Sequence, residues 1–191
     1  TIAIMGPSGC GKTTLLNLIA GLDAPSSGRL EWPGLGSSDR LRPGRIGVVF
    51  QSANLMPALS AVENVELPIL LGNGIEAEAR ALEALAVFGV ETLASKLPEQ
   101  LSGGQAERIA VARAIVTNPE LLVADEPTGQ LDQAGAATLV DRLLVWGRQT
   151  GSAIIIATHD ERVAAKMGRI WRMRHGKFES MVERAACTGT G

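Results

Sequence analysis

The chain has 191 residues, 46% of them hydrophobic, enough for one domain with a buried core and too few for two comfortable ones. That apolar content excludes a disordered chain, and a net charge of −2 with a pI near 5.7 gives no electrostatic reason to expect nucleic acid as partner. No apolar run approaches the roughly 18–20 residues of a membrane helix, so no direct membrane insertion is expected. Cys10 and Cys187 are too few for a disulfide framework and suit a reduced cytosolic chain.

The chain opens at Thr1 without an initiator Met, already inside an apolar strand, Thr1–Met5, and we expect the N-terminus to be truncated. A Gly-rich turn, Gly6–Gly11, follows. The next helix starts near Lys12, carries Leu15, Leu16, Leu18 and Ile19, and stops at Gly21. Gly28–Trp32 reads as a short strand before a Pro/Gly/Ser-rich turn region reaching Pro43. Arg45–Phe50 is another strand, ending at Gln51. From Ser52 to Pro119 the texture is helical. Ile75, Ala79, Leu82 and Ala86 recur at the spacing of one helix face, and a second helix follows Ser102-Gly103-Gly104, running over Gln105–Thr117. Leu121–Ala124 and Ala153–Ala157 are wholly apolar strands, as in a parallel sheet covered on both faces, with a helix over Ala136–Arg148 between them. Arg169–Arg174 and Lys177–Ser180 form a hairpin around His175-Gly176, and a loose tail covers 183–191.

Gly6-Pro7-Ser8-Gly9-Cys10-Gly11-Lys12-Thr13 matches GxxxxGK[ST] between a strand and a helix. Glycines let the backbone curl until successive N–H groups point at one phosphate, and the helix N-terminus adds partial positive charge. Lys12 reaches the β- and γ-phosphates, the Thr13 hydroxyl ligates Mg²⁺, and Thr14 serves the phosphates nearer the sugar. An ordinary Gly-rich turn is the bland alternative; strand, loop, Lys-Thr and helix together argue against it. Asp125 and Glu126 follow a buried strand at its carboxyl end, where open α/β sheets place ligands. Alone, an Asp-Glu pair reads as a solvated turn. Beside a phosphate loop, Asp125 suits Mg²⁺, and Glu126, pointing the other way by strand alternation, suits polarising an attacking water.

Leu101-Ser102-Gly103-Gly104-Gln105 reads by capping physics as a Ser N-cap and two glycines opening a helix, a second anion site far from the first. With Ala110–Ala114, then Ala124-Asp125-Glu126-Pro127-Thr128-Gly129 and Leu131-Asp132, the order of motifs resembles the ABC ATPase family from about Thr1 to Lys177. The resemblance implies a P-loop NTPase fold of the α/β class: a mainly parallel sheet flanked by helices, a RecA-like core over 1–51 and 119–182, and an inserted helical subdomain over 52–118. It also implies an antiparallel β part, here truncated at the N-terminus.

It implies a function as well. Two copies would stack head to tail and sandwich ATP between one copy's phosphate loop and the other's Ser102, Gly103, Gly104 and Gln105. Gln51 matches the Q-loop glutamine that senses Mg²⁺, Asp132 the aspartate at the dimer seam, and His159 the switch histidine at the γ-phosphate. Hydrolysis would power permease subunits in the membrane, from its cytoplasmic face, with a short permease helix docking near Gln51 and Ser52–Leu67. Gly21-Leu22-Asp23, Glu63–Pro68 and Ala124–Asp132 are similar to ATPases of lipoprotein-release, macrolide-export and cell-division complexes. Chromosome-organising relatives would need a long coiled coil between Gln51 and Leu101, where only 49 residues lie without a heptad, and translation factors carry two cassettes per chain. A scaffold that binds nucleotide without hydrolysis is the weaker reading, because Glu126 and His159 are both present.

Family members stack an aromatic residue from an upstream strand on adenine. This chain has no Tyr, and Trp32 follows the loop and reads as packing, so weak ATP binding is expected of it. Leu35–Gly44 takes no function from the sequence, and His175, where an acidic residue is more familiar, none in catalysis.

Overall fold

A computed structural model of the chain describes residues 1–36, 41 and 44–183. In chain order its elements are β1 (Ile2–Met5), α1 (Lys12–Ile19), β2 (Ile46–Val49), α2 (Ala61–Leu71), α3 (Ala77–Val87), α4 (Gly103–Ile115), β3 (Leu121–Asp125), α5 (Gln133–Thr150), β4 (Ala153–Thr158), α6 (Glu161–Ala165), β5 (Arg169–Arg174) and β6 (Lys177–Glu183). The strands form one sheet in the order β2-β3-β4-β1-β5-β6, parallel except for the antiparallel β5–β6 hairpin. This is the P-loop NTPase fold expected from the sequence. Helices cover both faces, so the inner strands need no polar face; all five residues of β3 are buried.

Parallel pairing is what builds the site. Val49 lies beside Ala124, Asp125 beside Ala157, and Met5 beside Thr158, so four strands end along one edge. Whatever follows each of them is delivered to the same place: the Gly6–Gly11 loop, Gln51, Asp125-Glu126 and His159. The β5–β6 turn has positive φ at both His175 (47°) and Gly176 (74°), the conformation that suits a two-residue hairpin. Gly176 N–H donates to Cys10 O at 3.0 Å, so the hairpin tip braces the phosphate loop.

The larger core cluster joins the sheet to the helices α2–α4 and α5 through Leu122, Ile154, Val65, Ile69, Leu85, Phe88, Ile109 and Leu143, among others. Ser60 and Glu63 cap α2 reciprocally, and buried Asn64 holds the preceding loop by donating to the carbonyls of Met56, Leu59 and Ser60. Trp32 donates from Nε1 to Ile19 O at 2.8 Å and packs on the second cluster, as its reading from sequence anticipates. No helix among the described residues is long and apolar enough to cross a membrane.

Three expectations from the sequence need correcting. Gly28–Trp32 is not a strand: among the described residues no strand pairs with it, and its side chains at Arg29 and Glu31 are exposed. The helix around Ala79 exists, but it buries Ala81, Ala84 and Leu85, while the stripe Ile75, Ala79, Leu82 and Ala86 faces outward, with Ile75 77% exposed. Small alanines on both faces left the periodicity ambiguous, and packing against α2 and α4 chose the other face. The helix after Ser102 runs over Gly103–Ile115, two residues earlier at each end than the span Gln105–Thr117, with Ser102 the cap that its capping pattern indicates. Glu183, the first residue of the expected tail, ends β6, while residues 184–191 and most of Leu35–Gly44 lie outside the described residues.

Candidate functional site

The turn Gly6–Gly11 can enter α1 because Gly9 and Gly11 take positive φ, 76° and 101°, which side chains rarely tolerate. Lys12 is the first residue of α1 and is buried. Its ammonium donates to Gly6 O at 2.9 Å and Pro7 O at 3.4 Å, so the charge lies inside the curl of the loop. The Thr13 hydroxyl, one residue on, donates to Asp125 Oδ2 at 2.5 Å and ties the head of α1 to the end of β3. Cys10 faces the core, so its part in the loop is played by backbone alone.

Asp125 and Glu126 do not diverge as strand alternation would have them do. The strand ends at Asp125, and Glu126 turns into the left-handed region with φ 49°, so both carboxylates line one cleft. A non-glycine residue pays about 1–2 kcal/mol for that conformation, offset here by Glu126 N–H donating to Ala157 O at 2.9 Å. The turn aims Glu126 at the next strand end, where His159 Nδ1 lies 3.0 Å from its Oε1. Glu126 is nearly enclosed, with its side chain 13% exposed, while the His159 side chain is 77% exposed. The cleft encloses about 260 Å³ and is lined by Ser8, Gly9, Gly11, Lys12, Thr13, Thr14, Gln51, Asp125 and Glu126.

Ser102, Gly103, Gly104, Gln105 and Asp132 are not among those lining residues. Ser102 caps α4: its Oγ accepts from Gln105 N–H at 3.3 Å, and Ser102 N–H donates to Gln105 Oε1 at 2.9 Å. The Gln105 amide is thus engaged within its own helix start. Asp132 caps α5 by accepting from Gly135 N–H at 2.8 Å. Within one copy the phosphate loop, Gln51, the carboxylates and His159 are brought together, and the second glycine-lined segment is not.

The ABC transporter family profile matches residues 1–129. The lipoprotein-releasing system ATP-binding protein LolD of Legionella pneumophila, strain Paris, is 41% identical over 186 residues, covering 93% of this chain and 82% of LolD; that of strain Lens matches equally. The ATP-binding cassette MJ0796, a dimer in a post-hydrolysis state bound to ADP and Pi, superposes with a TM-score of 0.87 at 38% identity, over 95% of this chain and 84% of MJ0796. A second dimeric structure of MJ0796, a bacterial ABC transporter cassette, gives a TM-score of 0.89 over the same shares at the same identity.

The chain belongs to the ABC transporter family.

As an ABC ATPase it binds nucleotide and couples ATP hydrolysis to transport. Two of its buried or half-buried charges, Glu107 and Arg113, take no role from the motif reading. Glu107, on α4 five residues past the Ser102 cap, is 5% exposed and accepts from Gln130 N–H at 3.1 Å. Burial pushes its carboxyl above the ordinary range near 4.5, partly countered by the N–H groups of Gln130 and Gly129. Arg113, further along α4, donates to Ala53 O and Asn54 O, both at 2.9 Å, and so fastens the segment after Gln51 to the helix; burial lowers its guanidinium from the ordinary value. A signal existed for the first. Glu107 stands four and seven residues before Val111 and Ala114, on the apolar face of its helix, where a charge implies a buried partner.

Proposed function

We propose that this cassette powers an export or lipoprotein-release complex, working as a head-to-tail pair beneath permease subunits at the cytoplasmic face of the inner membrane. One observation carries the paired reading: the cleft holds the phosphate loop and both carboxylates, while Ser102, Gly103 and Gly104 lie outside it. A second copy, turned end for end, would supply that segment to the outer face of the γ-phosphate, with Asp132 at the seam. The 41% identity to LolD supports the lipoprotein-release branch, and the dimers formed by MJ0796 support the pairing.

In this reading Lys12 exchanges its loop carbonyls for β- and γ-phosphate oxygens, and the N–H groups of Ser8–Thr14 cradle the phosphates. The oxygen donors around Thr13 fit a hard divalent cation: Thr13, Asp125 and Gln51 would hold Mg²⁺, which supplies charge neutralisation on the phosphate oxygens. Glu126 accepts a hydrogen bond from the water that attacks the γ-phosphorus, and the bond from phosphorus to the ADP oxygen breaks. His159 stabilises the charge that develops, together with Lys12 and the Ser102 of the other copy. We read residues 52–118 as a helical subdomain whose groove, about 400 Å³ between Phe50, Asn54, Leu67, Pro68 and Leu71, receives a short apolar helix of the permease.

Glu126→Gln is the test. It should bind ATP, form an ATP-dependent dimer in gel filtration, and lose at least about a hundredfold in turnover. Near-normal hydrolysis by that variant, or full turnover by a strict monomer, would overturn the reading.

A further inference from the structure

Among the described residues only two carboxylates are buried, Asp125 in the cleft and Glu107 outside it. Glu107 meets backbone N–H groups and, among the described residues, no cation. An uncompensated buried anion is costly unless its acceptor role is used, and its position shows what it holds. The two oxygens lie 3.1 and 3.4 Å from Gln130 N, in the segment that starts at Glu126 and ends at Asp132. That segment is itself closed by Gly129 N–H donating to Glu126 O at 3.1 Å. A second, independent contact joins the same two pieces. A Cβ on Gly104 would lie 2.6 Å from Leu131 Cδ2, and one on Gly103 would lie 3.0 Å from Gln130 Oε1. The segment therefore sits directly on the two glycines.

We propose that Glu107 is a positioning residue for hydrolysis: it clamps the turn Glu126–Leu131 to the head of α4 and so sets where Glu126 stands relative to the Ser102–Gly104 segment. The proposal rests on the reading above, in which Glu126 serves the copy's own ATP and Ser102 serves the other copy's. The clamp then links the two ATP sites through contacts within each chain. A charged acceptor suits the task because it takes N–H donors more strongly than a neutral one and offers both oxygens.

The experiment uses the full chain with ATP and Mg²⁺, and compares wild type, Glu107→Gln and Glu107→Met. Methionine keeps the length and volume of the side chain but accepts almost nothing; Glu107→Leu serves in its place should the Met variant not fold. Every cleft residue is untouched, so ATP affinity should stay within about twofold. Turnover of the Met variant should fall about tenfold or more, the scale of a lost hydrogen bond to a charged group. Gln keeps an acceptor for Gln130 N–H and should return turnover to within about threefold of wild type. A folded Met variant with wild-type turnover overturns the proposal, as does a Gln variant no better than Met, or a loss that follows the unfolding midpoint across all three. Wild-type protein that does not hydrolyse ATP sinks the proposed function instead, which keeps the two failures apart.

Discussion

Thr13→Val probes the bond that joins the phosphate loop to the end of β3. Valine keeps the β-branched shape at the start of α1 and removes only the hydroxyl that donates to Asp125 Oδ2 at 2.5 Å. A hydrogen bond to a charged group contributes about 1.5–3 kcal/mol. Asp125 is 6% exposed, so its carboxylate has been taken out of water, but Thr13 itself is exposed and a water can enter where the hydroxyl was. We therefore expect a loss of about 1–2 kcal/mol, which for a domain of this size lowers Tm by about 2–8 °C. The assay is thermal unfolding without nucleotide, run on Thr13→Val, Asp125→Asn and the double variant. Contact between the two residues demands a coupling energy of about 1 kcal/mol. Coupling below about 0.3 kcal/mol would refute the bond as a stabilising link between α1 and β3.

Glu107→Gln should also change how stability depends on pH. Burial raises the Glu107 carboxyl in the folded chain, so the fold favours its protonated form. That contribution is complete below about pH 4.5 and is lost as pH rises through the raised folded value. The Gln variant lacks this titration and should gain on wild type from about pH 4.5 upward, read as urea midpoints between about pH 4 and 8; a constant difference would exclude the effect. Arg113→Met removes two donors from the carbonyls of Ala53 and Asn54. It should cost about 1–3 kcal/mol and speed amide exchange over residues 51–55 more than elsewhere; uniform exchange would show that Arg113 does not hold this segment.

Local chemistry made much of this molecule legible. The glycine spacing before Lys12-Thr13, the apolar runs at β1, β3 and β4, and the Ser-Gly-Gly start of α4 each carry their meaning within about ten residues, because loop curvature, burial on two faces and helix capping are short-range demands. Periodicity failed where small residues populate both faces of a helix, as at Ala79 and Ala81, and at Gly28–Trp32, which reads as a strand yet has no strand beside it among the described residues.

The tertiary structure alone decided three things. It turned Glu126 out of strand geometry and towards His159, since the left-handed turn answers to the neighbouring strand end rather than to the Asp-Glu pair itself. It gave Glu107 a partner 23 residues away in Gln130, and Arg113 partners some 60 residues back at Ala53 and Asn54. And it left Ser102 outside the cleft that holds the phosphate loop and both carboxylates. A residue's type records what it can bind, whereas the partner brought to it depends on how distant strands and helices pack.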